Sequence, residues 1–302
     1  MKGKITTTVL ALLCFSAVSN ADILVYEGFS GYYDKGSDRG WSRHNGKPIR
    51  WVDANGGKNV NGGIGWKGAW YENRDNEKSY AGMPVHKESF VKAGVRTTGG
   101  HFRGGDERYR TFDTSSTSRL AKAGLLTSDN KIGKVGTSIY MSAYIGFTNA
   151  NSWRGISLFD GSNEKMYIGK AGGQWKLDFS GQGRSIQKSG VNVSTDPAKP
   201  QFIVMKFTFE AGQTKIQFWI NPNSENSKLV ATATLEGSSA QAIKFNKIRL
   251  MGDRNSGDTI LDEFRLATSF KDAVSGVPEP ATMLLLAGGG LGVLLRRKRN
   301  KA

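Results

Sequence analysis

The feature that most restricts the fold of this chain is an alternation of polar and apolar residues in its central part. Successive side chains of a β-strand point to opposite faces of a sheet, so a period of two predicts strands with one buried face. Glycine-containing turns at 160–163 and 210–213 join neighbouring segments, as in β-hairpins. The alternation is clearest in three segments: Ser138–Phe147, Gln174–Phe179 and Lys215–Ile220. These features predict an antiparallel β-sandwich.

The body of the chain is predicted to form a single domain. Between Asp22 and Gly276 no stretch shows the period of a three-turn amphipathic helix, and no Pro-, Ser- and Gly-rich linker divides the sequence. We therefore predict one all-β domain over residues 22–270, followed by a short linker at 271–276. The polar segment Lys35–Thr117 is predicted to form long loops over one end of the sandwich.

Both ends of this domain carry motifs that resemble concanavalin A-like (laminin-G-like) jelly-roll domains. Ile23–Phe29 and the glycine- and tryptophan-rich stretch Asn61–Trp70 are the N-terminal motifs, and Thr259–Phe270 is the C-terminal one. The resemblance implies that the first and last strands lie side by side in one sheet. Domains of this class include lectins, glycoside hydrolases and polysaccharide lyases, so the resemblance alone identifies no activity.

The C-terminal tail, residues 277–302, has three parts. A proline-containing motif occupies 277–282, an uncharged apolar run occupies 281–295, and a basic cluster follows at 296–301. The prolines keep the motif extended. As a helix the apolar run spans roughly 22 Å, which is shorter than the roughly 30 Å hydrocarbon core of a bilayer. We predict one C-terminal transmembrane helix, accommodated by local thinning or by snorkelling of the flanking arginines, with its basic end in the cytoplasm. The motif begins with Val277, Pro278, Glu279 and Pro280.

This tail resembles the PEP-CTERM sorting tail of proteins from Gram-negative bacteria. The resemblance implies export, transient anchoring in the inner membrane and processing by an exosortase-type enzyme. The destination that it implies is the outer surface or the extracellular matrix. An anchor that is never cleaved is the alternative interpretation.

The N-terminus predicts a secretory signal peptide at residues 1–21. Lys2 and Lys4 precede an apolar segment, and Ser19–Ala21 supplies small residues for cleavage. The predicted partners are therefore the Sec translocon and signal peptidase. The single cysteine, Cys14, would be removed with the signal peptide. The mature protein would then contain neither a disulfide nor a thiolate metal site.

The charge of the chain favours anionic partners. The full sequence has a net charge of +16, of which the signal peptide contributes +2 and the tail +4, so the exported domain carries +10. Such a charge favours exopolysaccharide or another anionic surface polymer. The sequence contains no recognisable nucleic-acid-binding module, so we expect no specific nucleic acid partner.

Four residues are predicted to contact such a polymer. Trp41 and Trp51 lie among arginines in a glycine- and asparagine-rich segment, where exposed indole rings would stack on sugar rings. Arg103 and Arg110 belong to the densest basic cluster of the chain. Trp66 and Trp70 belong to the family-like motif, and we expect them to pack in the core. The alternative for all the basic residues is a solvated surface without a chosen ligand.

Catalytic constellations are sparse in this sequence. No strand carries the alternating carboxylates that would place an acid and a nucleophile about 5 Å apart, as a retaining glycosidase requires. A lyase would need a base beside a cation, and one cluster has those residue types: His101, Arg103, Tyr109 and Arg110. We therefore predict no catalytic residues. A carbohydrate-active enzyme is kept as the alternative.

Calcium is the ion that the sequence accommodates best, although no cofactor is required. Asp253, Asp258 and Asp262, with Asn255, lie in one turn and the strand that follows it. Carboxylate and amide oxygens at such spacing are calcium ligands. Asp and Asn are also the commonest turn residues, and a purely structural turn is the alternative.

These observations predict an exported, sorted, single-domain jelly roll without catalytic activity. Its expected role is to bind or organise polysaccharide, preferably anionic, through the region Lys35–Thr117. The alternatives are a glycoside hydrolase or polysaccharide lyase on the same fold, and a structural matrix protein without a discrete ligand.

Overall fold

The computed structural model describes most of the body of the chain. The described residues are 23–29, 41–44, 47–52, 62–74, 77–79, 83–86, 90, 95, 97, 100–104, 107–148, 153–171, 173–179, 187–193, 196, 199–236, 243–251 and 258–275.

These residues form strands joined by short turns, with two short helices. Tight turns account for the hairpins: at Gly212, in the turn between residues 210 and 213, φ is 75°, a conformation that glycine adopts without steric cost. The elements are β1 Ile23–Glu27, β2 Trp41–His44, β3 Lys47–Val52, β4 Trp66–Arg74, β5 Glu77–Ser79, β6 Met83–His86, β7 His101–Gly104, β8 Arg108–Phe112, α1 Arg119–Lys122, β9 Thr137–Phe147, β10 Arg154–Asp160, β11 Asn163–Ala171, β12 Gln174–Asp178, β13 Gln187–Asn192, β14 Gln201–Glu210, β15 Gln213–Ile220, β16 Ala231–Glu236, β17 Lys247–Met251, β18 Thr259–Ala267 and α2 Phe270–Ser275.

The strands form two antiparallel sheets. The large sheet has the order β16-β15-β14-β9-β18-β7-β6-β3-β2, with β1 also paired to β18. The small sheet has the order β13-β12-β11-β10-β17-β8-β4-β5. The predicted antiparallel β-sandwich is therefore confirmed. The first strand also lies beside the last, since Tyr26 is opposite Arg265 and Glu27 opposite Phe264.

The alternation in the sequence builds the core between the sheets. One side of each central strand supplies large apolar residues to a single cluster, and the residues between them face outward. In β14 the inward residues are Ile203, Met205, Phe207 and Phe209, and in β10 and β17 they are Ile156, Leu158, Ile248 and Leu250. The core is thus shared by both sheets.

Helix α2 covers part of the outer face of the large sheet. The Phe270 ring centroid lies 6.3 Å from that of Tyr140 and 6.0 Å from that of Trp219. Ala273 is fully buried, and its carbonyl accepts a hydrogen bond from the Ser142 hydroxyl. Residues 271–275 of the predicted linker therefore belong to a helix that packs on the large sheet. A helix of this length is too short for its apolar spacing to stand out in the sequence.

The prediction that the segment Lys35–Thr117 forms long loops is wrong, because strands β2 to β8 lie within it. Strands β2 and β5 are the last members of the large and small sheets. Strands near a sheet edge tolerate polar residues on both faces, so their alternation is weak and the sequence pattern resembles that of loops.

Both predicted targeting segments lie outside the described residues. These are the signal peptide at 1–21 and the tail at 277–302, including the predicted transmembrane run 281–295. Within the described part of the chain, no helix has the length and apolar character needed to cross a membrane.

Candidate functional site

Tyr109 and Arg110 are adjacent residues of strand β8, and their side chains lie on opposite faces of the small sheet. Adjacent residues of a strand point to opposite faces, and Arg110 is the one that points into the core, where it is fully buried. Its guanidinium is paired with the Glu27 carboxylate and lies 4.7 Å from the centroid of the Trp66 ring. This placement is at odds with the predicted role of Arg110 at a polymer-binding surface. Its charge neutralises the buried Glu27 carboxylate inside the sandwich.

Arg103 lies on β7 of the large sheet, and its side chain is 16% exposed. Its Nε donates to Asp258 Oδ2 at 2.8 Å. His101, on the same strand, is buried with its ring 4.6 Å from that of Phe90. The residues considered for a lyase are therefore divided between two sheets, because Tyr109 lies on the small one. The structure does not bring them together as one site.

The tryptophans fall into two groups. Trp70 is buried in the core, and Trp66 packs on Phe112 with ring centroids 5.1 Å apart, so both act as packing residues, as expected. Trp41 lies on β2 opposite Arg50, and Trp51 lies on β3 opposite Pro84. The side chains of Trp41 and Trp51 are outside the described part, and their role in binding stays a prediction.

The calcium candidates are engaged with protein groups where they are described. Asp258 is paired with Arg103, and the buried Asp262 accepts hydrogen bonds from the backbone N–H groups of Glu263, at 2.8 Å, and Phe90, at 3.3 Å. Among the residues that the structure describes, no group of three or more His, Cys, Asp or Glu could hold a metal ion. Asp253 and Asn255 lie outside those residues, so the calcium hypothesis stays a prediction.

A row of polar and aromatic side chains crosses the outer face of the small sheet. Tyr167 of β11, Ser157 of β10, Arg249 of β17 and Tyr109 of β8 lie opposite one another on successive strands, and Tyr71 of β4 continues the row. Their sequence neighbours face the core, so the row faces outward. Four inter-strand spacings of about 4.8 Å give the row a length of roughly 19 Å.

Arg249 is at the centre of this row and connects two glutamates. Its Nη1 donates to Glu107 Oε1 at 3.3 Å, and its Nη2 donates to Glu164 Oε2 at 2.7 Å and to Ser157 Oγ at 3.1 Å. The Arg249 side chain is 11% exposed, whereas each glutamate side chain is 35% exposed. The guanidinium is therefore held beneath the two carboxylates, which face solvent.

Aromatic rings flank the ionic centre on both sides. Tyr71 stacks on Tyr109 with ring centroids 5.7 Å apart. At the other end, Trp153 is 42% exposed and its ring lies 5.2 Å from that of the buried Tyr167. The Tyr167 hydroxyl is anchored to the backbone of Arg154, so Trp153 rests on a fixed partner.

We refer to these side chains as the small-sheet cluster. Its members are Tyr71, Glu107, Tyr109, Trp153, Ser157, Phe159, Glu164, Tyr167, Lys247 and Arg249. Lys247 completes the centre, with Nζ 5.3 Å from the ring centroids of both Tyr109 and Phe159. The two cations and two carboxylates of the cluster balance in charge.

Burial and the glutamates set the protonation states of the cluster. Burial, together with the hydrogen bond that Tyr109 donates to Glu107 Oε2 at 2.8 Å, raises the pKa of Tyr109 to about 12. Burial lowers the pKa of Arg249, but attraction to Glu164 and Glu107 outweighs it and leaves that pKa raised. At neutral pH Tyr109 is therefore a neutral hydrogen-bond donor and Arg249 a permanent cation.

Sequence reasoning did not identify this cluster. Its signal is present as polar or aromatic residues at alternate positions, such as Tyr109 in β8 and Lys247 and Arg249 in β17. The pairing of β17 with both β8 and β10 is not readable from those strands, because it joins residues roughly 90 to 140 positions apart. Only the register brings Arg249 between the two glutamates.

Comparison with known sequences identifies the tail. A family model described as the PEP-CTERM protein-sorting motif matches residues 276–299. The predicted sorting motif is therefore confirmed, and it marks the chain as an exported protein that depends on an exosortase-type enzyme. No curated protein matches the sequence.

Comparison with solved structures finds β-rich domains of low similarity. The botulinum neurotoxin type G receptor-binding domain matches 66% of this chain at 10% identity and a TM-score of 0.33, and the chain spans 46% of its length. The T. cruzi calreticulin globular domain matches 67% of this chain over 85% of its own length, at 13% identity and a TM-score of 0.34. An alginate lyase of polysaccharide lyase family 7 matches 67% of this chain over 94% of its own length, at 8% identity and a TM-score of 0.35. Values this low transfer no activity to this chain.

Proposed function

We propose that this exported protein is delivered to the outer surface or extracellular matrix, where its sandwich binds polysaccharide without catalysing a reaction. The sorting motif at 276–299 supports the address. The small-sheet cluster is the observation that supports the binding. The sequence analysis expected binding through the region Lys35–Thr117 as a whole. The proposed site is instead one face of the small sheet.

The cluster has the features that sugar recognition requires. Sugars present apolar C–H faces and directional hydroxyl groups, so binding sites for them combine aromatic rings with fixed polar groups. The exposed ring of Trp153 and the partly buried ring of Tyr71, which is held in place by stacking on the buried Tyr109, supply the rings. Glu107 and Glu164 supply hydrogen-bond acceptors whose positions are set by Arg249. Sites on strands hold such geometry more precisely than sites on loops.

The net charge of +10 on the exported domain adds a second, less specific attraction. Exposed lysines attract anionic polymers over a distance set by the salt concentration, so this component is screened by salt. Trp41 and Trp51 remain candidates for an additional contact on the large sheet.

One experiment tests the proposal against both alternatives. Residues 22–278 form a compact unit, so this part is purified and incubated with matrix polysaccharide at low and high salt. We expect salt-resistant co-sedimentation and no new reducing or unsaturated sugar ends. New ends would overturn the non-catalytic role in favour of a carbohydrate-active enzyme. Loss of all retention at high salt would overturn specific binding and favour a matrix protein without a discrete ligand.

The address is tested separately in the native host. Replacing Pro278 and Glu279 by alanine should leave the protein membrane-associated, because the motif would no longer suit the processing enzyme. Cell fractionation and the electrophoretic size of the product measure the effect. Normal release of the doubly substituted protein would contradict the role of the tail.

A further inference from the structure

The exposed charge of the small-sheet cluster differs from that of the whole domain. Glu107 and Glu164 are each 35% exposed, whereas the guanidinium that they share is 11% exposed. Lys247, the other cation of the cluster, lies against the rings of Tyr109 and Phe159. A ligand that approaches the centre of the row therefore meets carboxylates first.

This order of charges disfavours an acidic sugar at the centre. Like charges brought together on a partly desolvated surface repel each other, and specificity often rests on such repulsion. The positive charge of Arg249 is already used by two carboxylates and a serine hydroxyl. A uronate carboxylate would have to displace one of these partners before it could pair with Arg249.

The same arrangement suits an uncharged sugar. Each carboxylate oxygen has two lone pairs, so a glutamate bound by arginine still accepts hydrogen bonds from sugar hydroxyls. Bonds to a charged acceptor are stronger than those between neutral groups.

We propose that the small-sheet cluster binds a neutral, hydroxyl-rich polysaccharide that lies across the strands. Glu107 and Glu164 accept hydrogen bonds from its hydroxyl groups, and Trp153 and Tyr71 stack on sugar rings at the two ends of the row. The proposal rests on the proposed function, because it names the class of ligand for the same site. It also assigns the attraction of acidic polymers to lysines elsewhere, such as the exposed Lys271 of α2 on the large sheet.

The test compares polymers of different charge. Affinity electrophoresis of residues 22–278 is carried out with a soluble neutral β-glucan, a neutral galactomannan and polygalacturonate, at about 0.05 M and about 0.5 M NaCl. We expect at least one neutral polymer to bind equally well at both salt concentrations. Polygalacturonate is expected to bind only at the lower concentration.

Variants then locate the binding. Glu164→Gln and Trp153→Ala should each weaken binding of the neutral polymer by about tenfold, since the first replaces a charged acceptor by a neutral one and the second removes a stacking ring. The matched control for the first is Glu225→Gln, because Glu225 accepts hydrogen bonds from Tyr140 and Lys206 in a similar arrangement on the large sheet. Val135→Ala, at another exposed apolar residue, is the control for the second. Neither control should change binding.

The outcomes separate this inference from the broader proposal. Salt-resistant binding of polygalacturonate that is strengthened by Glu164→Gln would overturn the neutral ligand while leaving polysaccharide binding in place. Absence of salt-resistant binding to every polymer, native matrix material included, would overturn both. Thermal unfolding of each variant checks that it is folded. If Glu164→Gln does not fold, Glu107→Gln tests the same carboxylate role.

Discussion

Arg110 on the small sheet is paired inside the core with Glu27, whose strand β1 is hydrogen-bonded to the large sheet. The pair therefore joins the two layers of the sandwich. The backbone N–H of Phe29, at 3.0 Å, and Trp70 Nε1, at 3.2 Å, also donate to the Glu27 carboxylate. Arg110 in turn donates to backbone carbonyl groups. Both charges are satisfied, which is the condition for burying them.

Removing one member of this pair should strongly destabilise the domain. Arg110→Met leaves the Glu27 carboxylate buried without a cation, and we expect the free energy of unfolding to fall by about 3–5 kcal/mol. Urea denaturation followed by fluorescence measures the loss. Arg103→Met is the matched control, because its partner Asp258 is 25% exposed and solvent replaces the interaction at a cost of about 1 kcal/mol. Equal losses in the two variants would contradict a special role for Arg110.

Gly169 should not tolerate a side chain. It lies opposite Gly155 on the neighbouring strand, where an added Cβ would meet the Gly155 Cα at 2.7 Å and the carbonyl oxygen of Arg154. These are backbone atoms, which do not rotate away, so we expect Gly169→Ala to lower the free energy of unfolding by about 1–3 kcal/mol.

Gly146→Ala is the control for this prediction. Its Cβ would meet the side chain of Pro200 at 3.1 Å, a contact that a small shift relieves. Thermal unfolding of both variants compares the two costs. A melting temperature of Gly169→Ala at or above that of Gly146→Ala would show that the close approach of β10 and β11 is not required.

Helix α2 should contribute measurably to stability although it is short. Phe270 is wedged against Tyr140 and Trp219, so Phe270→Ala removes apolar contacts and should cost about 1–3 kcal/mol. The exposed Lys271, in the same helix, serves as the control, and Lys271→Ala should change stability by less than about 0.5 kcal/mol. Chemical denaturation of residues 22–278 measures both. An unchanged midpoint for Phe270→Ala would mean that α2 is not part of the cooperative unit.

Stability should fall in acid partly through Asp129. The Thr127 hydroxyl, which donates to it, and Lys131 lower its pKa to about 2, below the 3.8 of an unperturbed aspartate. A carboxylate whose pKa is lower in the folded state stabilises the protein at pH values above its pKa in the unfolded state. This contribution is lost as the pH falls from about 4 to about 2. Because Asp129 is 44% exposed, solvent screening limits the effect to under about 1 kcal/mol.

The variant Asp129→Asn isolates this contribution. It should be less stable than the parent at pH 7 and equally stable at pH 2, as measured by urea denaturation across that range. Asp196→Asn, at another exposed pair with lysine, provides the comparison. A difference between Asp129→Asn and the parent that stays constant with pH would contradict the assignment.

The sandwich could be predicted because its cause is local. Alternation within β9, β14 and β15 identifies each as a strand wherever it lies in the sheet, although in β9 both faces are buried because α2 covers part of the outer one. The segment Lys35–Thr117 was missed because strands such as β2 and β5 at the sheet edges need no apolar face. Helix α2 was missed because one and a half turns carry too few residues to show a period.

The candidate site could not be predicted, since it depends on register. Glu107, Glu164 and Arg249 are widely spaced in the sequence, and each is an ordinary charged residue there. For Arg110, the sequence predicted the wrong environment. Its position in a basic cluster indicated a surface, but the alternation of β8 turns it into the core beside Glu27.

By itself, the sequence determined that this protein carries an export-sorting motif and which class of fold it adopts. Both are encoded in contiguous residues: the motif at 276–299 acts as a short peptide, and strand periodicity acts within each strand. The tertiary structure decided which charges are buried and which are presented to a ligand. Those outcomes follow from strand pairing between distant segments, where a register shift of one residue would exchange the two faces of the shifted strand.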